Sequence, residues 1–294
     1  MAVYSIKDLE KISGIKAHTI RIWERRYKLI EPQRTSTNIR FYNDDDLKRI
    51  LNVSILNQNG FKISKIADLT EGQLRERVLD LCLDSKNIDV QIESLLVAML
   101  ELDESKFTNV LTNSIIKLGF ESSVETILFP FLERIGILWQ AGTINPAQEH
   151  FISNLIRQKL IVAIDNEMQN FIPKSDKNIL FFLPENELHE IGLLFYSLIA
   201  RKEGYNVIYL GASVPVNDLK VIVETQKIDA LFTSFVAAQT QEELEQNLHK
   251  LSEAVPNYPI FLMGLQIKEL NPVLSKQYIK VLSATDFKSN IASI

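Results

Sequence analysis

Asn178-Ile179-Leu180-Phe181-Phe182-Leu183-Pro184 is a short apolar run bounded by polar residues, and Glu187-Leu188-His189-Glu190-Ile191-Gly192 follows it at once. Runs of the same kind recur at Asn206 to Leu210, Ala230 to Val236, Ile260 to Met263 and Lys280 to Leu282. Between them lie stretches of helical pattern, Leu188 to Lys202, Val216 to Thr225 and Gln241 to Ala254. Strands alternating with helices predict a parallel, doubly wound sheet. Ligands of such folds bind outside the carboxyl ends of the strands, which is where Glu187 and His189 stand.

Upstream, from Leu74 to Met168, the pattern is almost wholly helical. Gly119, Pro130, Gly136, Gly142 and Pro146 divide it into four or five helices, enough for a small bundle. The first segment is shorter and heavily punctuated. Ser5 suits an N-cap, and Ile6, Leu9 and Ile12 follow at helical spacing until Ser13-Gly14. Lys16 to Tyr27 reads as a second helix with Ile20 and Trp23 inward, and two short helices about a glycine-containing turn form a helix-turn-helix signature. A polar loop from Pro32 to Asn38 leads into Ile39-Arg40-Phe41-Tyr42, which reads as a small wing. Asn43-Asp44-Asp45-Asp46 then caps a third helix, its carboxylates favoured by the helix dipole. A short fourth helix is expected at Ile63, Ile66 and Leu69.

Composition bounds the rest. At about 150 residues per domain, 294 residues make two domains or three small ones, and 46% hydrophobic with 23% charged residues is ordinary for a globular chain. The longest apolar runs, such as Ile191 to Ala200, stop well short of the ~20 residues of a membrane span. The N-terminus has no signal-peptide pattern, and Cys82 as the single cysteine excludes an intrachain disulfide and an all-cysteine metal site. A cytoplasmic protein is expected. The net charge of −5 is uneven: residues 1–43 hold nine Lys or Arg against four Asp or Glu. A basic head on an acidic body points to a polyanion site at the N-terminus, with a chance surface fluctuation as the alternative.

Tyr4-Ser5-Ile6-Lys7, Thr19-Ile20-Arg21-Ile22-Trp23-Glu24-Arg25-Arg26-Tyr27, Pro32, Arg34 and Arg40-Phe41-Tyr42 together resemble the MerR family of bacterial transcription regulators. The resemblance implies a DNA-binding head in which Lys16, His18, Thr19, Arg21 and Arg25 belong to the helix entering the major groove. Thr19, Arg21 and Arg25 are expected on one helix face, where arginine reads guanine edges. Arg34 and Arg40 on the wing suit phosphate contacts. Trp23 and Phe41 are expected in the small core, and Tyr42 either there or on DNA.

The segment Glu187-Leu188-His189-Glu190-Ile191-Gly192 is similar to the Asp-x-His-x-x-Gly motif of cobalamin-binding domains, with Glu for Asp. The resemblance implies that His189 ligates cobalt from below and that Glu187 holds its other ring nitrogen, fixing the tautomer. Gly192 would let backbone and corrin approach closely. Ser234-Phe235-Val236 stands for the family's Ser-x-Leu, with Ser234 toward the nucleotide tail. The family's Gly-Gly becomes Gly264 flanked by Met263 and Leu265, so a side chain stands where the tail pocket expects none. Trp139, followed after nine residues by Glu149-His150, resembles the Trp-x(9)-Glu-His signature of the helical cap in cobalamin-dependent MerR-like regulators, including light-responsive repressors of carotenoid genes. There the Trp faces the upper axial group. Light-sensing members carry His directly after that Trp; here it is Gln140, which favours ligand sensing.

The expectation is a multidomain α and α/β chain. It has a winged helix-turn-helix head over residues 1–73, a helical-bundle cap over 74–172 and a Rossmann-like, flavodoxin-type cobalamin domain over 176–294. It would act not as an enzyme but as a transcription regulator, controlled by adenosylcobalamin or methylcobalamin, with an operator duplex, a second copy of itself (dimer or tetramer) and RNA polymerase as partners, and no membrane. Two alternatives stay open: a regulator that has lost cobalamin control and works through protein contacts, and a corrinoid enzyme component. The second needs a substrate domain, commonly a barrel of ~250 residues, for which the chain has no room.

Overall fold

The computed structural model describes residues 4–35, 38–84, 88–140, 144–169 and 171–294. Its contacts divide the chain into two units, Met1–Leu155 and Ile156–Ile294.

The first unit opens with α1 (Ile6–Ser13), α2 (Ala17–Tyr27), β1 (Gln33–Arg34), β2 (Arg40–Phe41), α3 (Asp44–Gln58) and α4 (Ile63–Ala67). Ser5 and Asp8 form a reciprocal cap at α1, and Gly14, at φ 72°, ends that helix in the left-handed region where glycine costs nothing. α2 has no capping side chain of its own. Instead Glu10 of α1 accepts from the Ala17 N–H at 3.0 Å and pairs with Lys16 at 3.1 Å, so the first helix caps the second. β1 and β2 pair antiparallel as the wing, and Tyr4 and Tyr42 exchange backbone hydrogen bonds beside it. Asn43 and Asp46 form a second reciprocal cap at α3, as the sequence led one to expect. Leu9, Ile12, Ile20, Trp23, Leu47, Ile50 and Leu51 are buried.

The helical stretch continues with α5 (Glu71–Asp84), α6 (Ile88–Glu101), α7 (Glu104–Leu118), α8 (Phe120–Ser123), a π-helical turn (Val124–Leu128), α9 (Phe129–Gln140) and α10 (Pro146–Gln169). α8, the π turn and α9 run on without a break, giving five helical rods among the described residues. α3 packs on α5 and α6. α10 crosses the division between the two units.

The second unit adds β3 (Asn178–Pro184), α11 (Ile191–Lys202), β4 (Asn206–Val214), α12 (Val216–Thr225), β5 (Ala230–Ser234), α13 (Gln241–Ala254), β6 (Ile260–Met263), α14 (Leu265–Leu270), β7 (Tyr278–Lys280) and α15 (Ala284–Ile291). The sheet is parallel in the order β4-β3-β5-β6-β7, the flavodoxin-like arrangement, with its switch point between β3 and β5. Alternation along β3 sends Leu180 and Phe182 to one face with Leu219, Leu231 and Leu262. It sends Phe181 to the other, where Phe232, Phe261, Phe287 and Tyr196 form a ring cluster with centroids 4.9–6.5 Å apart.

Boundaries differ from the sequence expectation in four places. β4 runs to Val214 rather than Leu210 because two register shifts against β3 let it continue past Gly211. β5 stops at Ser234, and α11 starts at Ile191 rather than Leu188, since Glu187 to Glu190 form a turn. β7 lies two residues earlier than expected, set by pairing with Ile260 to Leu262.

Candidate functional site

The turn after β3 is gripped from both neighbouring strands. Ser213, at the end of β4, donates its N–H to the Glu187 carbonyl at 3.1 Å, and its hydroxyl accepts from the Asn186 N–H at 3.1 Å. On the other side, one Glu187 carboxylate oxygen accepts the N–H groups of Val236 and Ala237, just beyond β5, at 2.7 and 2.8 Å. The other oxygen accepts the His189 N–H at 3.0 Å and faces His189 Nδ1 at 2.6 Å. The Glu187 side chain is 5% exposed and that of His189 58%. Burial pushes the Glu187 carboxyl upward, but the hydrogen bonds from the His189 ring and the Ala237, Val236 and His189 N–H groups outweigh it and hold it at about 2. A carboxylate that stays ionised accepts a hydrogen bond from the Nδ1–H of a neutral imidazole and so leaves that ring's lone pair on Nε2.

Glu190, the next residue but one after Leu188, fixes the far side of the same turn. Its carboxylate pairs with Arg157 of α10 and accepts from the Tyr209 hydroxyl at 3.1 Å. Burial, then the charge of Glu190, raises the Tyr209 hydroxyl well above its ordinary range, so it remains a donor.

Ser234 ends β5 fully buried, and its hydroxyl, like that of Thr233, has no hydrogen-bond partner among the described residues. Gly264 has φ 118°, and a Cβ there would stand 2.1 Å from the Phe235 carbonyl oxygen, so only glycine fits. At Gly192 an added Cβ would meet Met263 Cε at 3.2 Å, the far end of a flexible side chain. Ser234, Gly264 and Glu187 therefore converge through the segment Phe235–Ala237, while Met263 lies over Gly192.

In the first unit, Pro146 opens α10, with Asn145 capping the Ala147 N–H at 2.9 Å. Glu149 and His150 pair with each other, Oε2 to Nδ1 at 2.9 Å, and Ser153 donates to the other Glu149 oxygen. Trp139 lies in α9, but its side chain, that of Gln140, and residues 141–143 with Gly142 fall outside the described residues, so the expected approach of Trp139 to Glu149 and His150 does too. His249 is exposed on α13 beside Glu253.

On α2, His18, Arg21 and Arg25 are exposed together. Thr19 departs from the expected shared face: two helical positions from Arg21 it points about 160° away, and it is half-buried at the edge of the core. Arg34, whose guanidinium donates to Asn38 at 2.6 Å, and Arg40 are exposed on the wing. Tyr42 corrects the sequence reading toward its structural option. It is fully buried, its backbone paired with Tyr4 and its hydroxyl donating to Glu24 at 3.2 Å. Trp23 is buried and Phe41 half-buried. The sequence reading passed over Glu24, which also takes Arg40 at 3.2 Å and so ties the wing to α2. Its only signal was its place in the Trp-Glu pair. Arg157, Tyr209 and the Val236 and Ala237 amides carried no local signal, since each acts through a partner distant in sequence.

Two family models match this chain: MerR HTH family regulatory protein over residues 4–73 and B12 binding domain over residues 91–163. Among curated proteins, the chain is 28% identical to the HTH-type transcriptional repressor CarH of Myxococcus xanthus over 290 residues, covering 96% of each. It is also 28% identical to the HTH-type transcriptional repressor CarA of the same organism, over 90% of this chain and 87% of that protein. The HTH-type transcriptional regulator MlrA of Escherichia coli K12 is 35% identical over 91 residues, 31% of this chain and 32% of that protein.

Proposed function

Because this chain is a MerR-type helix-turn-helix regulator that carries a B12-binding domain, we propose that a cobalamin held at the carboxyl ends of β3 and β5 controls its binding to an operator. The observation that carries this reading is the Glu187–His189 pair at the switch point of the sheet. An ionised, buried carboxylate oriented by two backbone amides fixes one tautomer of a more exposed imidazole, the support a metal-ligating histidine needs. Bound cobalamin would supply a cobalt for which His189 would be the protein ligand through Nε2.

The residues present fit that group. His189 offers Nε2, Ser234 a buried hydroxyl still to be partnered, and Gly264 a backbone that no side chain could replace. Gly192 fits once the Met263 side chain swings aside, a movement of a flexible thioether. Trp139, Glu149 and His150 belong to the cap side of the proposal, and residues 1–73, 74–172 and 176–294 are its head, cap and cobalamin domain. Lys16, His18, Arg21 and Arg25 face the duplex, with Arg34 and Arg40 on phosphates and Thr19 at the edge of that surface. Adenosylcobalamin and methylcobalamin are the forms to test, and a second copy of the chain and RNA polymerase are the further partners. The packing of Met263 over Gly192 is the one observation favouring a second reading, a regulator freed from cobalamin that works through protein contacts.

The test is electron paramagnetic resonance of the full chain loaded with cob(II)alamin. Nitrogen hyperfine splitting from a protein imidazole is expected in the wild type, altered by isotopic labelling of histidine and lost in His189→Ala. Glu187→Ala should weaken binding by ~10–100-fold, the range for a supporting residue. Failure of the wild type to bind, or splitting that survives in His189→Ala, overturns the ligand assignment.

A further inference from the structure

The turn of the helix-turn-helix is held from outside the head. The last carbonyls of a helix have no partner within it, and at the end of α1 two of them are taken by other elements. Ser13 O accepts from the Ser54 hydroxyl of α3 at 3.0 Å. Ile12 O accepts from the guanidinium of Arg134, on α9, 122 residues away in sequence. Arg134 is half-buried, and Glu93 and Asp89 of α6 supply the opposing negative charge. Glu93 is itself 5% exposed, and burial raises its carboxyl to about 7. Drawing a guanidinium out of water is costly, and an apolar side chain would pack as well. What an apolar side chain could not do is grip a carbonyl two residues before the Gly14 turn. Beyond that turn the N-terminus of α2 is capped by Glu10 of α1, so the placement of α1 fixes the placement of α2.

We infer that Arg134 is a positioning residue for DNA recognition: it pins the end of α1 to α9 and thereby sets how α2 is presented to the duplex. α9 also contains Trp139, five residues on. The bond is thus a route, within one protomer, from the helical segment to the recognition helix; this extension rests on the cobalamin reading.

The experiment uses the full chain and a duplex selected by the wild type from a random-sequence library, without cobalamin. Arg134→Gln should bind that duplex on the order of tenfold more weakly, the loss of one hydrogen bond from a charged donor. Its dependence on salt should not change, since no phosphate contact is lost. Arg134→Lys, which can still donate, should recover part of the affinity. Hydrogen exchange at residues 14–19 should be faster in Arg134→Gln. Wild-type affinity, a shallower salt dependence or unchanged exchange in that variant overturns the inference. If Arg134→Gln does not fold, exchange at 14–19 in Arg134→Lys decides: faster supports the role, unchanged contradicts it. A second arm adds adenosylcobalamin. The ratio of affinities with and without it should lie closer to one in Arg134→Gln than in the wild type, and an equal ratio removes the route. A wild type with no response to adenosylcobalamin counts against the cobalamin reading, while the positioning role stands or falls on the ligand-free arm.

Discussion

Glu187 concentrates the stability of the turn after β3 in one carboxylate. Its folded value of about 2 lies below the ordinary 4.5. The stabilisation is therefore complete above the unfolded value and is lost as pH falls from about 5 toward 2. At 1.36 kcal/mol for each pH unit the difference amounts to about 3 kcal/mol. Urea midpoints of the wild type between pH 7 and pH 3 should show the larger part of that loss, and Glu187→Gln should lack this component of the pH dependence. An identical pH dependence in the two proteins would mean the hydrogen bonds contribute nothing. Two glycines give a second contrast. Gly264→Ala sets a methyl against the Phe235 carbonyl at a φ that L residues rarely adopt and should cost about 4 kcal/mol or more. Gly192→Ala meets only Met263 and should cost about 1 kcal/mol. Thermal melts separate the two, and equal costs would place the strain elsewhere. The motif around His189 was legible because strand, carboxylate, imidazole and glycine are local in sequence. The amides of Val236 and Ala237 were not, because only the β3–β5 pairing brings them to Glu187.

Among the elements, the proposed reading divides the labour on DNA between α2 and the wing. Arg21 is exposed on α2, whereas Arg40 on β2 is already ion-paired to Glu24. Arg21→Ala should abolish sequence preference. Arg40→Ala should weaken all sequences alike and lower the salt slope by ~1. Footprinting both variants on a selected operator checks this, and unchanged preference in the Arg21 variant would remove it from base reading. In the head, α1 and α3 were legible from their own signals, Ser5 and Gly14 for the first and Asn43 for the second. The fate of Tyr42 was not, since an aromatic on a wing suits DNA until Tyr4 and Glu24 are seen to enclose it. Thr19 was misplaced by grouping residues two apart on a helix, a spacing that suits a strand. β7, α14 and α15 are short and carry little periodicity, so sheet pairing and burial of Ile267 and Phe287 decide them.

At the scale of the molecule, a basic head and an acidic remainder are joined in one chain, and α10 belongs to both contact units. No helix among the described residues is long and apolar enough to cross a membrane. One small head makes few contacts with DNA, and operators mirror the two-fold symmetry of the proteins that bind them. Under the proposed reading a ligand would have to favour one arrangement of heads over another, and its effect would be limited by its differential affinity for the two. The order of sequence motifs made this organisation legible. The bonds of Arg134 to Ile12 and of Arg157 to Glu190 were not, because their partners meet only in the folded chain. The most direct measurement is the affinity of the full chain for a selected operator duplex, with and without saturating adenosylcobalamin, in the wild type and in His189→Ala. A shift of fivefold or more in the wild type, the lower end of ordinary allosteric coupling, that disappears in His189→Ala is the expected result. Equal operator affinity with and without cobalamin in the wild type, or an undiminished shift in His189→Ala, would contradict control of DNA binding through that histidine.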